Sequence, residues 1–385
     1  MRGNHQARRG LWVLAALLAA VTGCSSSAAV SPEAATSPAS PQPTPSLPPG
    51  GALFFHGSIL SGLAVASARD AWAVGSIPTA RNGATVESGS ACLIEHWNGK
   101  AWGQVACPPI GKDNSLAAVT ATSARNAWAV GSWANTRTLV LHWNGTAWQQ
   151  QASPAGGVLT GVAADAAGDA WAVGQTVNGR PLILRLQSGQ WQTVSVPPLA
   201  NTLLEGVAVA SGTDAWAVGV SAGRPVILHW NGTAWGAAPC PDPAGGGVLE
   251  SVSEIPGGGA AWAVGASFAA PGHTLILHWN GVSWTRVTSP TPAGGAALEG
   301  VTATGARAGW AVGSALGSPG KTLILRWDGT AWKLLPSPDP GPASGTDTLV
   351  RVAAVAGGTA WAIGYESGVG PVIARWNGTK WVAGR

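Results

Sequence analysis

The string Ala-Trp-Ala-Val-Gly, or a close variant, occurs seven times in the 385-residue chain, with its tryptophan at Trp72, Trp128, Trp171, Trp216, Trp262, Trp310 and Trp361. Each copy is followed by a second string, Trp-Asn-Gly-Thr-Ala-Trp or a variant. Its two tryptophans are Trp97/Trp102, Trp143/Trp148, Trp230/Trp235, Trp279/Trp284, Trp327/Trp332 and Trp376/Trp381; the third repeat has Leu186 and Trp191 instead. The internal spacing of five never changes. Seven repeats share residues 51–385, about 48 residues each. Self-similarity at this period marks stacked supersecondary units, none of which buries its apolar face alone.

Within a repeat the pattern is that of strands. In the fourth, Leu204 to Ala210 sets valines among small residues, and Ser211-Gly212-Thr213-Asp214 is turn chemistry. Ala215 to Val220 and Pro225 to Trp230 are two more strand-like runs. Asn231-Gly232 is a hairpin signal, and Trp235 opens a fourth strand. No helical periodicity occurs. Only 10% of residues are charged, against roughly 25% in an average globular protein, which excludes a coiled coil. The strands read Val-Ile-Leu-His-Trp rather than alternating strictly. Blades covered on both faces by neighbours need this, and it accounts for 46% hydrophobic residues. The expected fold is all-β, a seven-bladed β-propeller of four-stranded antiparallel blades.

These repeats resemble kelch-like, Asp-box-like (BNR-type) and photosystem II assembly-factor propellers, and most of all the Trp-rich repeat lipoproteins of high-GC actinobacteria. The resemblance covers about 335 of 385 residues and speaks for fold. The Asp-box itself is not matched: Asn231 lies four residues before Trp235, where that family places its Asp five before the aromatic. Sialidase activity therefore does not carry over, and the Tyr nucleophile it needs would have to be Tyr365, the only tyrosine.

The first 50 residues differ from the rest. Arg2, Arg8 and Arg9 form a basic start, Leu11 to Val21 is an apolar run of 11 residues, and Val21-Thr22-Gly23-Cys24 follows. This resembles a bacterial lipoprotein box, which implies cleavage before Cys24 and lipidation of its thiol; Arg8-Arg9 also loosely resembles a twin-arginine signal. Residues 1–23 are thus expected to be a lipoprotein signal peptide. Residues 24–50, rich in Ser, Pro, Ala and Thr, are expected to be a disordered tether. Residues 51–385 form the propeller. The expected location is extracytoplasmic, at the outer face of the cytoplasmic membrane. Residues 51–385 carry a net charge of only +2, so no basic nucleic-acid face is expected.

Motifs for catalysis are absent: no G-x-S-x-G, H-E-x-x-H, C-x-x-C or phosphate loop occurs. His96, His142, His229 and His278 share one repeated position with Arg185, Arg326 and Arg375. Equivalent positions on different blades radiate outward, so no metal is expected there, and a hydrogen bond to the next blade is. Trp133 lies off the repeat and is a candidate surface contact. The resemblance implies that the first strand of each blade lines the channel. At one slot of that strand stand Ser61, Ala117, Thr160, Glu205, Glu250, Glu299 and Arg351. Glu205, Glu250, Glu299 and Arg351 are therefore the expected ligand-binding residues, side by side on one channel rim, taking a cation or a basic or polar ligand.

The expected function is a non-enzymatic binding or scaffolding module, monomeric and without cofactor, whose partner is an envelope protein or polysaccharide. The rival is a surface glycan hydrolase or lyase with its site at the channel mouth. Export makes disulfides permissible. If Trp97 pairs with Trp102 across a four-residue loop, Cys92 faces Cys107. A two-residue Asn98-Gly99 loop would set Cys92 against Val105. The expected pairing is Cys92–Cys107, with Cys240 free.

Overall fold

The computed structural model describes residues 57–79, 89–154, 156–317, 320–339, 346–366 and 370–384. They form seven four-stranded antiparallel sheets, one per repeat, and no helix. Each sheet takes its strands in chain order. Blade 4 shows the pattern: Thr202–Ser211, Asp214–Ser221, Arg224–Trp230 and Trp235–Ala238. First strands of neighbouring blades touch all round the ring, including that of blade 1 against that of blade 7. They are the innermost strands and enclose a central channel. The segment Ala52–His56, expected from sequence to complete a sheet with the last repeat, and most of an insertion of about 10 residues expected between the second and third strands of blade 1, about Ile77 to Ser90, lie outside the described residues.

One glycine shapes every blade. In each first strand the pairing with the second slips by one residue beside the glycine of the Ala-Trp-Ala-Val-Gly string. In blade 4, Leu204 pairs with Gly219 and Gly206 with Val218, leaving Glu205 as an unpaired bulge. A Cβ on Gly219 would lie 2.0 Å from the Leu203 carbonyl oxygen. The same holds at 1.8 Å for Gly75 and Gly364 and at 2.0 Å for Gly131, Gly174 and Gly265. No side chain fits, because the bulge drives the first-strand backbone across that site.

Tryptophans join blade to blade. Trp72 of blade 1 meets Trp143 of blade 2 at 4.9 Å and 55°, and Trp148 at 5.1 Å and 89°. The same tilted and edge-on pair recurs between blades 3 and 4, 4 and 5, 5 and 6, and 6 and 7. Blade 3 has Leu186, so Trp128 meets only Trp191, at 5.3 Å. The ring closes by the same contact: Trp361 of blade 7 packs on Trp97 and Trp102 of blade 1. Offset and edge-on aromatic pairs of this kind add roughly 0.5–1.5 kcal/mol beyond their area burial.

The shared His/Arg slot lies on these rings. His96, His142 and His229 stack on the tryptophan of their own blade at 4.1–4.2 Å, and His278 lies at 4.4 Å. Arg185, Arg326 and Arg375 set their guanidinium over their own tryptophan and over that of the next blade, at 4.9–5.6 Å. The expected hydrogen bond to the next blade holds for Arg185, which donates to the Gly212 carbonyl at 3.3 Å. For the histidines it is corrected: His96 and His229 bond Asp70 and Asp214, and His142 bonds Asn126, all of their own blade. A ring lying flat on its own tryptophan directs its Nε2 back along its own sheet.

Trp97 pairs with Trp102, so the hairpin loop has four residues. The Asn98 side-chain oxygen accepts from the Lys100 and Ala101 amides, and Gly99 takes φ 91°. Asn144, Asn231 and Asn377 cap their hairpins in the same way. Cys92 and Cys107 are joined by a disulfide with Cα atoms 6.4 Å apart, and Cys240 is the free cysteine among the described residues. Trp133, half-buried at the end of a blade 2 strand, packs on the blade 1–blade 2 core and under the Arg137 guanidinium at 4.7 Å.

Candidate functional site

The bulge beside the glycine is the first-strand irregularity that all seven blades share; blades 1, 2, 4 and 6 have a second one near the strand end. The slip leaves Ser61, Ala117, Thr160, Glu205, Glu250 and Glu299 at the bulge, outside the strand register, in blades 1 to 6. In blade 7 the unpaired residue is Val350, since Leu349 pairs with Gly364 and Arg351 with Ile363. Arg351 therefore does not occupy the slot of the three glutamates. It follows one residue later, at the position of Gly62, Gly161, Gly206 and Gly300, where neighbouring first strands come closest. A Cβ on Gly300 would lie 3.0 Å from the Arg351 Cα. The slot was legible: Val350 lies 11 residues before Trp361, as Glu205 does before Trp216 and Glu299 before Trp310. Blade 5 alone spaces 12, because the turn between its first two strands is one residue longer.

The structure still brings the four together. Glu205, Glu250 and Arg351 line one channel cavity of about 150 Å³, with Thr160, Ser251 and the glycines and valines of the first strands. Arg351 reaches back to blade 6, where one guanidinium nitrogen donates to the Glu299 carbonyl oxygen at 3.0 Å and to the Val350 carbonyl at 2.8 Å. The expected rim is corrected to an interior site: Glu205 is the fourth residue of a ten-residue strand. Part of each glutamate faces the lumen, yet protein encloses the group on every side.

That enclosure sets the chemistry. Burial pushes the Glu205 carboxyl up to about 7; Arg351 opposes the rise and Glu299 adds to it. Burial pushes Glu250 well above the ordinary carboxylate range, and Glu299 and Glu205 push it further, against Arg351. The two carboxyls are coupled, so the charge state of one affects the protonation of the other. A ligand that brings positive charge or hydrogen-bond donors would displace those protons. Among the described residues no three His, Cys, Asp or Glu side chains converge as metal ligands. The Thr160 hydroxyl donates to the Leu204 and Val173 carbonyls, and the Ser251 hydroxyl accepts from the Val301 amide. Both hydroxyls in this wall are thus tied to backbone.

No family model matches the chain, and no curated protein matches it. Solved structures do. YCF48 bound to a D1 peptide is 16% identical over 83% of this chain and 92% of that one, with a TM-score of 0.56. YCF48 from Cyanidioschyzon merolae is 15% identical over 83% and 96%, TM-score 0.55. Streptogramin B lyase is 14% identical over 83% and 93%, TM-score 0.58. At these identities the likeness is one of fold: this chain is a seven-bladed β-propeller, of an architecture found both in a protein that binds a peptide and in a lyase.

Proposed function

We propose that this chain is an exported, Trp-rich-repeat lipoprotein with kelch-like blades. It acts as a non-enzymatic binding or scaffolding module at the cell envelope. The observation that carries the binding role is the channel wall. Glu205, Glu250 and Arg351 line it with Glu299 close enough to act on their charges, and the Thr160 and Ser251 hydroxyls bond backbone. Such a wall recognises charge and donors, and it holds no nucleophile beside a base. A similar fold takes a D1 peptide in YCF48, which favours a protein partner. The basic start, the apolar run and Cys24 support export and lipid anchoring at the outer face of the cytoplasmic membrane.

The test is affinity capture from the protein's own envelope with the wild type, with Glu205→Gln/Glu250→Gln/Glu299→Gln, and with Cys24→Ser. Palmitate labelling is followed alongside. The proposal expects label on the wild type and none on Cys24→Ser, and loss of partners from the triple variant. A triple variant that folds and keeps every partner would overturn the role of the channel.

A further inference from the structure

The chain has a second concave site, at the outer edge of the blade 4–blade 5 boundary and apart from the channel. It encloses about 340 Å³, within the range of about 300–1,000 Å³ typical of small-ligand sites. Its cause is local sequence. The outer strand of blade 4 reads Trp235-Gly236-Ala237-Ala238, where blade 2 has Trp148-Gln149-Gln150 and blade 6 has Trp332-Lys333-Leu334. Beside these small side chains Trp279 of the next blade is half-buried, as Trp143 and Trp327 are at the same position of their blades. A Cβ added at Gly236 would meet nothing within 4 Å.

Trp279 differs from four of its counterparts in hydrogen bonding. The indole N–H groups of Trp97, Trp143, Trp230 and Trp327 donate to a turn carbonyl of their own blade at 3.0–3.3 Å. In blade 5 that turn is longer by one residue and carries Gly257, Gly258 and Gly259. Among the described residues no acceptor meets the Trp279 N–H, nor that of Trp376 in blade 7. Around the ring stand the His229 imidazole, the Asn231 amide and the Ser283 hydroxyl. The Asn231 oxygen caps its own hairpin, which leaves its NH2 as a donor. No Lys, Arg, Asp or Glu lines the groove.

We propose that this groove binds a neutral carbohydrate segment. An uncovered indole face takes the C–H face of a pyranose ring, while hydroxyls around the ring edge meet the indole N–H, the Asn231 NH2 and Ser283. The lack of charged lining excludes recognition of carboxylated or phosphorylated sugars here. A purely apolar occupant would leave the N–H and amide donors unpaired, which costs binding energy. The site is independent of the channel glutamates.

The test is calorimetry and tryptophan fluorescence with neutral trisaccharides of glucose, mannose, galactose or N-acetylglucosamine, and with a proline-rich peptide as comparison. At least one trisaccharide should bind, and Gly236→Gln should weaken it by about 10-fold or more. That variant folds normally on this account, since Gln149 and Gln192 fill the same position in blades 2 and 3. Gly103→Gln in blade 1, and the triple glutamate variant, should leave sugar binding unchanged. The proposal is overturned if no trisaccharide binds, if the peptide binds instead, or if Gly236→Gln binds as the wild type does.

Discussion

The Trp361 and Trp97 rings lie 4.8 Å apart at 58°, joining the last blade to the first. The geometry matches that of Trp72 with Trp143 inside the chain, at 4.9 Å and 55°. Ring closure thus repeats the ordinary inter-blade contact, and blade 1 and blade 7 each draw their described strands from one repeat. Trp361 is 1% exposed. Trp361→Ala should cost about 3–5 kcal/mol, as deletion of a large buried ring does. Urea unfolding measures it. A loss below about 1 kcal/mol would mean that closure does not depend on this contact.

The bulge glycine gives a sharper test. Gly219→Ala adds one methyl group where the Leu203 carbonyl oxygen stands 2.0 Å away, and backbone on both sides resists movement. It should destabilise blade 4 by about 3 kcal/mol or more. Gly236→Ala, with open space at its Cβ, should shift stability by less than about 0.5 kcal/mol. Thermal unfolding of the two variants side by side separates a steric requirement from a general loss of glycine.

Glu95 occupies the slot of Leu141, Leu228, Leu277 and Leu325, is 3% exposed, and leaves one carboxylate oxygen unbonded. Burial pushes it up to about 7 from the usual 4.5. The protonated form is the one the fold favours. Its contribution is therefore fully present below about 4.5 and is lost as pH rises through about 7. Glu95→Leu should raise stability at pH 8 by about 1–3 kcal/mol and by less at pH 5. An equal gain at both pH values would show that Glu95 is not protonated in the folded protein. Glu205 and Glu254 titrate in the same window, so the slope is reduced and not abolished.

Cysteine chemistry divides cleanly. Peptide mapping should recover Cys92 joined to Cys107, and reduction of this 15-residue loop should cost about 3 kcal/mol. The Cys240 thiol is pushed up to about 12, by burial and then by Asp242, and should alkylate slowly at pH 8. Recovery of Cys240 in the bridge, or rapid labelling of Cys240, would contradict this.

Blade number, strand order and the four-strand repeat were legible because turn signals and paired tryptophans recur at fixed offsets. The three glutamates were legible for the same reason. Arg351 lies one residue out of register with them: the 11-residue count to Trp361 marks Val350, although the bulge is a backbone event with no residue type of its own in the first strand. Its signal lies in the partner strand, as the glycine that cannot be anything else. The stacking of His96 and its counterparts on their own tryptophans was hidden too, since it depends on which face of the sheet each side chain takes. The groove beside Trp279 was written in Gly236-Ala237-Ala238, yet it becomes a site only when the next blade's ring is set against it.

The account stands on bulges that carry carboxyl groups into an enclosed channel, where they meet Arg351. Carbon-13 NMR of protein labelled at the glutamate carboxyls, titrated from pH 4 to 9 and assigned with single Glu→Gln variants, measures this directly. The account predicts that Glu205 titrates near 7, that Glu250 titrates well above the surface glutamates, and that Arg351→Met moves both upward. Titration of Glu205 and Glu250 near 4.5, unchanged by Arg351→Met, would contradict it: the three would then be solvated strand residues and no site.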